Sequence, residues 1–133
     1  EAAGVMAELA TFFRDLPERM AGAHLVIGRA GASTVAELTV LGRPSVLVPL
    51  PNALDNDQLR NATRVADSGA SWCLEQKHLA PEILAETIGS LMDQPAVLTA
   101  AADAAKRLGR PDAVVRLADL AEELIGVRPQ NRA

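Results

Sequence analysis

Two short polar turns carry the groups in this chain that could do chemistry. The first reads Gly28-Arg29-Ala30-Gly31-Ala32-Ser33-Thr34-Val35-Ala36-Glu37. A short apolar run precedes it and helical spacing follows, so it sits where a strand's carboxyl end meets a helix start. In open α/β sheets ligands bind at such places. Unpaired N–H groups at a helix start, with the helix dipole behind them, favour an anion such as a diphosphate. Gly31 and Ala32 let a backbone approach closely, and Ser33 and Thr34 add hydroxyl donors. The string is neither a GxGxxG fingerprint nor a Walker loop. Glu37 has two readings. Thr34-x-x-Glu37 fits a capping box, in which the carboxylate only satisfies a backbone donor. Alternatively, Glu37 faces the cleft and accepts hydrogen bonds from a ribose diol, set apart from a diphosphate that it would repel.

The second turn reads Asp55-Asn56-Asp57-Gln58-Leu59-Arg60-Asn61, again just after an apolar run. Gln58 and Asn61 share a helical face. Their neutral amides both donate and accept, which suits sugar hydroxyls. The competing reading is a second capping box, Asp55-x-x-Gln58, with Asn61 in solvent. Adjacent parallel strands would open both turns onto one edge of a sheet. A third candidate is Phe12-Phe13, which reads either as core or as a loop whose backbone bonds a flat base edge.

Acid–base machinery is absent from the pattern. No serine sits in a nucleophile elbow, and His24 and His78 have no evident orienting carboxylate. A metal site is not expected, because neither histidine has a nearby ligand partner, and neither is a cofactor. Cys73, the single cysteine, excludes an internal disulfide and reads as an inert core thiol. Arg107, Arg110 and Arg116 read as a solvated helix face. The net charge of −4 and an aromatic content of 2% argue against a nucleic-acid partner, which calls for a basic field and stacking platforms. No apolar run approaches the roughly 20 residues of a membrane helix, and the charged N-terminal stretch lacks the apolar centre of a secretory leader.

The elements that must position these turns follow from the apolar spacing. Residues 4–22 are ambiguous. Val5, Ala7 and Leu9 alternate as in a strand, then Asp15 can cap a short helix with Pro17 in its first turn. His24–Gly28, Ser45–Val48 and Ala70–Leu74 read as buried strands, with helices over 34–41, 55–67, 81–92, 95–108 and 111–125. Strands alternating with helices imply an α/β fold with a parallel sheet covered on both faces. At 133 residues the chain fits one domain, placed at 1–126, with a frayed tail at 127–133. Three or four strands are few for such a sheet, so a first βαβ half is expected to be missing.

Three strings resemble the C-terminal domain of the MurG family of GT-B glycosyltransferases: the run from His24 to Leu38, Gly42-Arg-Pro-Ser-Val-Leu-Val-Pro-Leu-Pro51, and Asp57-Gln-Leu-Arg-Asn-Ala62. Gly109-Arg-Pro-Asp-Ala113 is similar as well, so the resemblance spans residues 5–125. It implies a partial Rossmann-like sheet that binds UDP-N-acetylglucosamine (UDP-GlcNAc), the donor of an inverting transfer of GlcNAc to lipid I. Carried over residue by residue, it implies that the Phe13 backbone reads the uracil edge. Ala32, Ser33 and Thr34 would meet the diphosphate, Glu37 the ribose hydroxyls and Gln58 the GlcNAc hydroxyls, with Gly31, Val35, Ala36 and Asn61 also among the residues that bind UDP-GlcNAc. Asp57 stands where many members carry a second amide, and Asn52 where many carry His. The acceptor-binding N-terminal domain and the Gly-Gly-Ser-type loop have no counterpart here.

The resemblance further implies a full-length enzyme that is cytoplasmic and peripheral on the inner face of the membrane, reaching lipid I through its other domain. This chain alone is expected to be inactive as a transferase, and to self-associate through an exposed sheet edge. The rival expectations are a stand-alone UDP-sugar-binding subunit that needs a partner chain, and a structural remnant that binds nothing.

Overall fold

The computed structural model describes residues 4, 6–51 and 54–126. The alternating residue Val5, the departure at Asn52 and the tail 127–133 lie outside them. The elements run α1 (Leu16–Gly22), β1 (Val26–Gly28), α2 (Ala32–Leu41), β2 (Ser45–Leu47), α3 (Asp57–Asp67), β3 (Ser71–Cys73), α4 (Pro81–Met92), α5 (Pro95–Leu108) and α6 (Ala113–Leu124). Single 3-10 turns lie at Leu54–Asn56 and Gln76–His78. The sheet has the order β1-β2-β3 and is parallel throughout. Ile27, Val46 and Trp72 stand side by side in register, as do Gly28, Leu47 and Cys73.

Successive side chains of a strand point to opposite faces. Leu47 points into the main core with Met20, Leu38, Ala62 and Val65. Val46 points the other way and is fully buried, but Ile27 beside it is 42% exposed. Cover on that second face is therefore thinner than the sequence suggests. Few aromatics mean an aliphatic core in which helices approach on small residues. Ala101, Ala104 and Ala105 of α5 are buried, and α5 lies along α2. At the end of α5, a Cβ on Gly109 would stand 2.7 Å from the Thr39 carbonyl oxygen, so only glycine fits the crossing. Gly42, in the left-handed region at φ 64°, closes α2.

Three local expectations fail. Residues 6–10 form no strand, because a strand needs a neighbour to complete its ladder and none is there among the described residues. Met6 and Leu9 are left 99% and 92% exposed. Asp15 stands at the N-cap of α1 but makes no side-chain cap, since its carboxylate takes the Arg19 Nε instead, at 2.9 Å. Helices α2 and α3 begin at Ala32 and Asp57, each two residues from the expected start, which removes both capping boxes.

Candidate functional site

The β1–α2 turn is shaped by Gly31, the N-cap of α2, which has ordinary extended backbone and offers no capping side chain. The first N–H to close an intrahelical bond is that of Val35, on the Gly31 carbonyl at 3.0 Å. The amides of Ala32, Ser33 and Thr34 are therefore the open donors of the helix start. No acidic residue occupies this first turn, so nothing there opposes an anion. Ala32, Ser33 and Ala36 are exposed, and Gly31, Thr34 and Val35 are half-buried. Thr34 lies inside the helix rather than at its cap, so Glu37 has no capping duty. Its carboxylate is exposed on α2 and makes no hydrogen bond among the described residues.

The β2–α3 turn is held by side chains that reach across it. The Leu50 N–H donates to Gln58 Oε1 at 3.0 Å. This bond replaces the expected capping box and leaves the Gln58 amide nitrogen as the group's outward donor. Asn61 is half-buried rather than solvated, and its Nδ2 donates to the Ala30 carbonyl at 3.0 Å. That bond joins α3 to the first turn. Arg29 adds a second tie from the opposite side, since its Nη1 donates to the carbonyls of Val48 and Pro49 at 3.3 Å each. Asp55 and Asn56 both take positive φ, 64° and 53°, a conformation that Asp and Asn tolerate better than most residues. Asp57 lies within 4.0 Å of Arg60. Beside this turn opens a cavity of about 370 Å³, lined by Pro49, Leu50, Asn56, Leu59, Glu75 and Lys77.

Phe13 lies in the irregular segment that leads into α1. The Arg19 guanidinium sits 4.3 Å from the centre of its ring. Arg19 also forks onto Glu8 at 2.7 and 2.8 Å. These bonds hold the Glu8 and Asp15 carboxyls below the usual carboxylate range. At the far end of the sheet, burial chiefly, with the nearby Glu75 charge, raises the Cys73 thiol, which fits an unreactive group. The described residues contain no group of acidic, His or Cys side chains that could hold a metal.

Residues 3–117 match the family described as glycosyltransferase family 28 C-terminal domain. The chain belongs to this family. Three relatives named as UDP-N-acetylglucosamine–N-acetylmuramyl-(pentapeptide) pyrophosphoryl-undecaprenol N-acetylglucosamine transferase agree. That of Rhodospirillum rubrum is 55% identical over 120 residues, 90% of this chain and 31% of that protein. Those of Rhodospirillum centenum and Brucella suis are 58% and 52% identical, over 89% and 94% of this chain and 31% and 33% of theirs. Among solved structures, Acinetobacter baumannii MurG superposes with a TM-score of 0.81 at 35% identity, covering 87% of this chain and 33% of that one. The rhamnosyltransferase SpnG, in complex with spinosyn aglycone, gives 0.54 at 28%, covering 78% and 28%. The chain thus spans about a third of the length of the relatives it matches.

In this family 28 domain a hydrogen bond joins two of the three expected groups. Residues 30–34 and 58–61 meet through the Asn61–Ala30 bond at the carboxyl ends of β1 and β2. No hydrogen bond among the described residues ties Phe13 to either turn. Arg29 and Arg19 are the residues that sequence reasoning overlooked as organisers. Arg29 has one signal, a long cation inside a run of small residues. Arg19 has another, since Asp15 stands four residues before it on the same helical face.

Proposed function

We propose that this chain is the donor-binding part of an inverting glycosyltransferase that moves GlcNAc from UDP-GlcNAc to lipid I, giving lipid II for peptidoglycan. The carrying observation is the Asn61–Ala30 hydrogen bond, which closes two polar turns into one rim beside an uncapped helix start. The amides of Ala32 to Thr34 would receive the diphosphate. As the glycosidic bond breaks, negative charge grows on the departing UDP, and fixed N–H dipoles favour it without reorganising. Glu37, one turn further along α2 and unbonded, would accept from the ribose diol. Gln58, its oxygen already engaged by Leu50, would donate through its amide nitrogen to a sugar oxygen. The Phe13 backbone would read the uracil edge. Gly31, Val35 and Ala36 would shape the floor.

The acceptor side is assigned to the part of the enzyme beyond this chain, so the chain alone should turn over no lipid I. No helix among the described residues is long and apolar enough to cross a membrane. Peripheral attachment to the cytoplasmic face, through that other part, fits the same reading.

Titration calorimetry of the chain with UDP and UDP-GlcNAc tests the assignment. The expected result is saturable heat with both ligands, reduced about tenfold in affinity by Glu37→Ala, as for one or two lost hydrogen bonds to a charged group. Absence of binding by the native chain, or unchanged binding in the variant, would remove the donor-site reading.

A further inference from the structure

The segment before α1 presents a problem of support. Among the described residues, no backbone N–H or carbonyl of residues 6–13 is hydrogen-bonded, and no strand or helix includes them. Backbone that must present an N–H and a carbonyl to a base edge has to be held in place by something else. One side chain converges on this segment from the adjoining helix. Arg19 forks onto Glu8 with two short bonds, takes the Asp15 carboxylate through Nε, and covers the Phe13 ring. Two of its partners, Glu8 and Phe13, lie within the irregular stretch and the third, Asp15, just after it, so one rigid plane fixes the stretch at two points. The backbone of Arg19 is itself anchored by its bond to the Asp15 carbonyl at 3.0 Å, and the next residue, Met20, is buried in the core.

Exposed ion pairs usually contribute little to stability. Here the geometry is the favourable exception, because the fork is bidentate and planar and the guanidinium also stacks. Its effect is therefore on position more than on folding.

We infer that Arg19 is a positioning residue for nucleobase recognition: by pinning Glu8, Asp15 and the Phe13 ring at once, it holds the Phe13 backbone where a uracil edge can meet it. This rests on the donor-site reading above, and it adds a residue outside both polar turns that sets which base is accepted. Lysine cannot replace it. An ammonium is a point charge that reaches one carboxylate at a time and has no plane to lay on a ring.

The test is a calorimetric comparison of UDP, CDP and inorganic pyrophosphate on the full chain, as native protein and as Arg19→Ala, Arg19→Lys and Glu8→Gln, with Trp72 fluorescence as a check of the fold. The expected result is that Arg19→Ala weakens UDP about tenfold, as for two base-edge hydrogen bonds held loosely, and narrows the preference for UDP over CDP. Pyrophosphate binding should stay unchanged, Glu8→Gln should move the base preference in the same direction, and Arg19→Lys should restore it only in part. An unchanged UDP-over-CDP preference in both Arg19→Ala and Glu8→Gln would overturn the assignment. If Arg19→Ala does not fold, Glu8→Gln decides alone, since Glu8 is exposed and outside every regular element. A native chain that binds no UDP would overturn the donor-site reading and this one with it. A native chain that binds UDP with no effect of these substitutions would overturn this one alone.

Discussion

The middle of the molecule and its two flanks are built on different terms. From β1 to β3, each strand or turn is tied to another: Leu47 inserts beneath α2 and α3, Asn61 reaches the Ala30 carbonyl, and Arg29 reaches those of Val48 and Pro49. At the flanks the same apolar residue types have little against them. Met6 and Leu9 stand in solvent, and α6 has no buried residue although Val114, Leu117 and Leu124 recur at helical spacing. Leu124 is 79% exposed. The contrast shows that hydrophobicity alone does not stabilise an element. A residue stabilises only where a neighbour completes its burial.

The largest effect that should break this contrast lies in the middle. Leu47→Ala, at a fully buried position, should lower unfolding free energy by about 2–5 kcal/mol in urea denaturation followed by Trp72 fluorescence. Leu117→Glu, on α6, should change it by less than about 0.5 kcal/mol in the same measurement, because Leu117 is 68% exposed. A loss in α6 as large as the loss in β2 would mean that the flank is part of the core.

The next contrast concerns association. β1 has no strand beyond it among the described residues, and Ile27 is partly bare. Sedimentation velocity should show self-association rising with concentration, and Ile27→Lys, which places a charge on that unpaired strand, should suppress it. A stable monomer at all concentrations would set that expectation aside.

The smallest effect is an acid one. The Glu8 and Asp15 carboxyls are lowered in the folded chain by Arg19. A lowered folded value means that the clamp is complete above the unfolded carboxylate value of about 4, and is lost as pH falls through the lowered ones. Carboxyl NMR titration should therefore find both midpoints below ordinary values in the native chain, and back at them in Arg19→Ala.

Much of the fold was legible in the residues because its signals are local. Pro81 and Pro95 open α4 and α5 as expected, Gly42 ends α2, and three apolar runs became the three strands. The α/β class and the pairing of the two polar turns follow from that order. The misreadings came where the deciding partner is far along the chain. Thr34-x-x-Glu37 and Asp55-x-x-Gln58 are sound capping patterns, but Gly31 serves as N-cap of the first helix, and Leu50 supplies the donor that engages Gln58. The alternation of Val5, Ala7 and Leu9 has strand character, but residues 6–10 have no neighbour that would complete it. The grip of Arg19 on Glu8, from eleven residues away, leaves no periodic trace.

The crossing at Gly109 reaches further than its own surroundings. It presses against Thr39 and Val40, at the closing end of α2, while the opposite end of that helix points its open amides at the rim. Ten residues of helix form a stiff rod about 15 Å long. A single methyl added at the far crossing would thus act as a wedge under one end of a lever, swinging the aim of three amides that it never touches.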